Sequence, residues 1–185
     1  RKTSIRLPQT PFDSTLDQVS LDATTVLSDW RPEEIKDLLG RALFDESLYG
    51  TVRFHHRTAR EYLTAKWLAR LLDKRKNRRA VQCMLFAKPY GTLPEAAVPS
   101  LKPIIGWLAL DDQQIRDKAI DIDPKILLEF GDASSLDIGT RAYLLRKFAK
   151  LYQDRQHTPL SLHLREVRRL GDPRLGDVIR GMLLE

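Results

Sequence analysis

The chain has 185 residues, 42% of them hydrophobic and 30% charged, and 31 basic against 25 acidic side chains give a formal net charge of +6. That composition excludes a disordered chain, and no apolar run approaches the ~20 residues that a membrane span needs. The single cysteine excludes an internal disulfide framework and suits a reducing, cytoplasmic setting.

The chain opens Arg1-Lys2-Thr3-Ser4, without Met and with no apolar core behind it. No secretory signal is expected, and the chain is expected to be a piece of something longer. Residues 1–20 carry Pro8, Pro11 and several Ser and Thr without a period, and are predicted to be a tail or connector. A short helix is predicted over 21–30, with Leu21, Ala23, Val26, Leu27 and Trp30 available for one face. Pro32, Glu33 and Glu34 then suit a helix start. Ile35, Leu38, Leu39, Ala42 and Leu43 form its apolar stripe, which predicts a helix over 32–44. Between Phe44 and Phe54 the period falls to two around a turn at Asp45–Gly50, the pattern of a small β-hairpin or wing.

A long helix is predicted over 56–74. Stepping about 100° per residue puts Ala59, Tyr62 and Leu63 on one side. Ala65, Trp67, Leu68, Ala69, Leu71 and Leu72 centre on nearly the opposite side. That switch predicts a strut between two packed bodies; a helix buried all round is the alternative. Lys74-Arg-Lys-Asn-Arg-Arg79 follows, either a solvated run favoured at a helix C-terminus or a contact for phosphate or nucleic acid. Cys83, inside Val81-Gln-Cys-Met-Leu-Phe86, is expected to be a buried packing residue rather than a reactive thiol.

From Asn77 onward an all-helical region is predicted, with helices near 78–87, 101–110, 112–122, 124–130, 138–152, 160–170 and 173–184. Phe130-Gly131-Asp132 recurs as Leu170-Gly171-Asp172 forty residues later, with Leu110-Asp111-Asp112 a looser copy. Each apolar residue would end a helix and each Asp would cap the next one. That echo fits an irregular HEAT-like array, with an ordinary helical bundle as the alternative. The fold expected is mainly α. A connector at 1–20 leads to a winged-helix-like unit with a hairpin at 21–75, and a helical-repeat-like domain at 76–185.

No phosphate-binding G-x-x-x-x-G-K-[ST], no dinucleotide-binding glycine run and no G-x-S-x-G elbow occur. The four histidines are His55, His56, His157 and His163, without a cysteine pair beside them, so no zinc site is expected. No spacing singles out a catalytic residue or a cofactor of the chain's own.

Phe54-His-His-Arg-Thr-Ala-Arg-Glu-Tyr-Leu-Thr-Ala65 resembles the end of the winged-helix part of NACHT-type STAND NTPases. That pattern has an aromatic residue, a His two positions on, and Glu-aromatic seven and eight positions on. Here those are Phe54, His56, Glu61 and Tyr62. The stretches Phe86–Gly91, Trp107–Leu110 and Leu127–Asp132 are similar to the helical region that trails the NTPase core in large bacterial members. The resemblance implies that His56 contacts the phosphates of ADP or ATP held by an upstream NTPase core of the same chain. It also implies that the helical array meets a protein ligand. His55 is expected to point away and be exposed, and Glu61 to pair with Arg57 one turn earlier. The Walker segments are not among these residues, so the chain alone is expected neither to hold nucleotide tightly nor to hydrolyse it.

A winged-helix nucleic-acid binder is a second reading. Glu33, Glu34 and Asp37 offset Lys36 and Arg41 in its would-be recognition helix, and Arg53 alone is basic in the wing, which disfavours it. A plain helical interaction scaffold is a third.

Overall fold

The computed structural model describes residues 2, 4–10, 14–88, 94–153 and 168–184. The protein is mainly helical, with one sheet of four strands and one of two. It divides into Arg1–Arg60 and Glu61–Glu185.

The first unit is built on strands β1 (Ser4–Arg6), β2 (Ser20–Asp22), β3 (Phe44–Glu46) and β4 (Thr51–Phe54), in the order β2-β1-β4-β3. Strand β1 runs parallel to β2 and antiparallel to β4, so it lies inside the sheet. Residues 4–6 and 14–20, expected to belong to a connector, are therefore part of the folded unit. The three residues at 4–6 make too short a run to register as a strand. Helix α1 (Ser14–Val19) makes the crossover to β2. The buried Arg6 side chain joins the two, donating to Asp22 at 2.9 Å and Asp17 at 3.4 Å.

The helix predicted over 21–30 shrinks to α2 (Ala23–Val26), because Ser20–Asp22 pair with β1 instead. Asp22 then caps α2 by accepting from the Thr24 N–H at 2.9 Å. Helix α3 (Pro32–Leu39) starts as predicted but gives way at Gly40, short of the expected end. Ile35 and Leu39 bury, whereas Ala42 and Leu43 lie beyond the helix and are exposed. The core of this unit is Ala23, Ile35, Leu39 and Val52, with Ile5, Leu7, Leu27 and Phe44 packed against it. The predicted hairpin is present, with Phe44 opposite Phe54 and Asp45 opposite Arg53.

Helix α4 (Arg57–Leu72) begins in the first unit and continues into the second. Ala65, Leu68 and Leu72, at i, i+3 and i+7, are buried. Trp67 stands one residue off that line and is 57% exposed. Tyr62 and Leu63 are 41% and 43% exposed, so the apolar side predicted for the first half of the helix is not buried, and neither is the helix buried all round.

The second unit continues with α5 (Arg75–Leu85), a two-stranded pair β5 (Phe86–Ala87) and β6 (Ala96–Ala97), α6 (Lys102–Asp111), α7 (Gln113–Ile122), α8 (Ile126–Glu129), α9 (Ile138–Gln153) and α10 (Gly176–Leu184). The β5–β6 pair breaks the all-helical expectation: Phe86 is buried in an extended segment, beyond the point where helical spacing holds. The helix predicted over 160–170, His157 and His163 lie outside the described residues, apart from the end of that helix.

The core is aliphatic, with Leu85, Ile105, Leu108, Ile115, Ile126 and Leu144 wholly buried. Val81 and Leu85 face inward on α5. Cys83, two residues from each, faces solvent, against the expectation of a packing role.

The three echoed aspartates do cap. Asp112 accepts from Ile115 N–H at 3.0 Å, Asp132 from Ser134 N–H at 3.1 Å and Asp172 from Arg174 N–H at 3.0 Å. Their local backbones differ, since Gly131 has φ +73° and is packed on α6. A Cβ placed on Gly106 would lie 2.6 Å from Phe130 Cβ, and one on Gly131 would lie 2.5 Å from the Gly106 carbonyl oxygen. The two glycines thus set the closest approach between α6 and the turn after α8.

Candidate functional site

Of the residues singled out by sequence, Phe54, His55 and His56 lie together at the end of the hairpin, whereas Tyr62, farther along α4, packs edge-on against Trp107 at 5.3 Å. The Phe44 and Phe54 rings, 4.8 Å apart, clamp the base of the hairpin. The pairing continues one step, His55 N–H donating to the Leu43 carbonyl at 2.9 Å. His56 comes next, and α4 begins at Arg57. Arg60 N–H reaches back to the His56 carbonyl at 3.4 Å, which puts His56 at the mouth of the helix. The N–H groups of a first turn have no partner within their own helix, and the macrodipole is positive there, so this corner favours an anion.

The two imidazoles differ in their ties. His55 Nδ1 lies 2.6 Å from Asp45 Oδ1, and both side chains are partly exposed. His56 is exposed and meets the His55 ring edge-on at 4.1 Å. His55 is exposed, as expected, and is also tied across the hairpin to Asp45, with its ring edge-on to His56. Asp45 was not singled out from the sequence. The register that places Asp45 opposite Arg53 brings it within reach of position 55, and that register depends on where the turn falls. Glu61 and Arg57 stand one turn apart on α4. The corner brings together two imidazoles, the Asp45 carboxylate and the first-turn N–H groups of α4, and its imidazole and amide N–H groups are able to donate to a negative group.

The first unit also has a cavity of about 770 Å³ between the β1–α1 loop, α3 and the hairpin loop. Gln9 and Tyr49 line it, and both are non-glycine residues with left-handed backbone, φ 68° and 58°. Glu33 and Lys36 supply its charges. His55 and His56 are not among its lining residues.

Comparison with family models, with curated proteins and with solved structures finds no match.

Proposed function

We propose that this chain is the regulatory and interaction segment of a STAND-type NTPase of the NACHT kind. In this reading the first unit is a winged-helix-like module whose His56 faces the phosphates of an adenine nucleotide held by an upstream NTPase core. The second unit is an irregular HEAT-like array that meets a protein ligand. The nucleotide and the ligand then act on one equilibrium by preferring different packings of the same segment. A reducing, cytoplasmic setting agrees with a lone cysteine.

The observation that carries the reading is the exposed His56 ring at the first turn of a 16-residue helix, held in place by a neighbour that is itself anchored to Asp45. An imidazole there has an open side toward an anion, and its protonated form adds charge to the helix end. The test is ADP retention by the longer protein carrying the NTPase core. His56→Ala is expected to release ADP at least tenfold faster, while the 185-residue chain alone shows no ATP turnover. Unchanged ADP retention in the variant, or turnover by the chain alone, refutes the assignment.

A further inference from the structure

The net charge is not spread over the molecule. Residues 1–60 hold nine basic and nine acidic side chains, and residues 61–185 hold 22 and 16, so the whole excess lies in the second unit. Its densest part is the turn from α4 into α5, with Lys74, Arg75, Lys76, Arg78 and Arg79 within six residues.

The structure sorts that run into two sets. Asn77 and Arg78 turn inward and close the turn. Asn77 Nδ2 donates to the Leu71 carbonyl at 3.2 Å, and Arg78 donates to the Leu72 carbonyl at 3.3 Å and to Asp112 at 3.0 Å. These groups meet the needs of the α4 C-terminus, the role that a basic run at such a place ordinarily serves. Lys74, Arg75, Lys76 and Arg79 are exposed, and their side chains make no hydrogen bond or ion pair among the described residues. Arg75 and Lys76 occupy the first turn of α5, the positive end of its macrodipole, and Lys74 at the N-cap supplies no side-chain cap. Arg75 and Arg79, one turn apart, repel each other. Four exposed cations that neither cap nor pair, on a helix end that disfavours them, form a surface complementary to an anion from outside.

The neighbouring surface narrows the kind of anion. Leu63, Trp67 and Arg70 recur at i, i+4 and i+7 on the solvent side of α4, and Lys74 follows about 10 Å beyond Trp67 along the chain. The 57% exposed indole offers an aromatic surface on which a base can stack. The solvent side of α5 carries Arg75, Lys76, Arg79 and Cys83, and Met84, 45% exposed, is its one large apolar residue, so it lacks the broad apolar face that a bilayer surface requires. Cations that track a backbone beside an aromatic platform are the arrangement that accepts a single strand, whose bases are free to stack. A duplex keeps its bases stacked on one another and would engage the cations alone.

We propose that the α4–α5 turn binds single-stranded nucleic acid, with phosphates on Lys74, Arg75, Lys76 and Arg79 and a base against Trp67. The site lies on a different unit from the His56 corner and does not depend on the function assigned to that corner.

The test is fluorescence anisotropy of a labelled oligo-dT of about 20 nucleotides, titrated with the whole chain over a range of salt concentrations. Four phosphate contacts on a single strand predict a log–log salt slope of about −3. Changing Lys74, Arg75, Lys76 and Arg79 together to Gln is expected to flatten that slope and weaken binding about 100-fold at low salt. The variant should keep its far-ultraviolet spectrum and its melting point, since it alters only exposed side chains. Trp67→Ala is expected to weaken the oligo-dT complex roughly tenfold with the slope unchanged, and to leave duplex binding untouched. Absence of binding at low salt, a slope that survives the quadruple substitution, or a Trp67→Ala variant that binds oligo-dT normally would each overturn the proposal. So would equal or tighter binding to phosphatidylserine vesicles or to oligo-glutamate.

Discussion

Replacing Gly106 by Ala tests whether α6 and the turn after α8 touch backbone to backbone. The added Cβ would lie 2.6, 2.8 and 2.9 Å from the Phe130 Cβ, carbonyl carbon and oxygen. Carbon atoms in good contact sit about 3.5–4.0 Å apart, so the partner must retreat by roughly 1 Å. Two of the three obstructing atoms are backbone, which no rotamer change can move. Overpacking of this kind costs about 3 kcal/mol at the upper end of its range. The better helix propensity of Ala returns about 1 kcal/mol. The net loss is about 2 kcal/mol, or a melting point lower by about 4–8 °C for a chain of this size. Gly181→Ala in α10 is the control, because a Cβ there meets nothing within 4 Å. It should raise stability by about 0.5–1 kcal/mol from propensity alone. Gly131→Ala should cost more than Gly106→Ala, since it adds the strain of a left-handed backbone, about 1–2 kcal/mol, to its own clash. The assay is thermal melting monitored by circular dichroism. A Gly106→Ala protein as stable as its parent, with Gly181→Ala behaving as stated, would show that the two backbones are not in contact.

The remaining predictions concern charge and the thiol. Asp112→Ala removes the cap on α7 and the carboxylate partner of Arg78, which keeps the Leu72 carbonyl and Gln114, so a loss of about 1–3 kcal/mol is expected in urea titration, and Asp112→Asn should lose less. Five aspartates are held below the ordinary carboxylate value. The Thr24 hydroxyl does this at Asp22, Ser134 at Asp132, Thr140 at Asp137 and the Arg174 side chain at Asp172. At Asp112 burial opposes the charge, and hydrogen bonds from Arg78 and Ile115 outweigh it. A depressed carboxyl stabilises the fold above its unfolded value of about 4 and loses that contribution as pH falls through its folded value. Melting points should therefore stay level from about pH 7 to 5 and drop below about pH 4; a rise on acidification would contradict the assignments. Cys83 should react with a thiol reagent under native conditions at the rate of an open thiol, and a reaction that waits for unfolding would return it to the interior.

What could be read from the sequence tracks the distance over which each feature is determined. Helices α6, α7 and α9 were legible because apolar spacing and an Asp or Pro at the start act within a few residues. The hairpin was legible from its alternation and turn. Strands β1 and β2 were not, since three residues carry no period and they exist through pairing with each other and with Val52. The inward turn of Val81 and Leu85 decided the fate of Cys83, and an apolar neighbourhood in sequence could not show which side of α5 it takes. Trp67 was misplaced for a related reason: broad hydrophobicity suggested a face, while the narrower 65–68–72 line selected it. At the His56 corner the two histidines were visible and Asp45 was not, because its reach to His55 depends on hairpin register.

One guanidinium, that of Arg78, accepts responsibility for two helix ends at once, donating to the last carbonyl of α4 and to the carboxylate that starts α7. Fraying at either end therefore loosens the other, though 40 residues separate Leu72 from Asp112 in the chain. The amides of both ends should exchange with solvent deuterium as one cooperative block, so a perturbation at the surface of the α4–α5 turn is transmitted to α7 without passing through the aliphatic core.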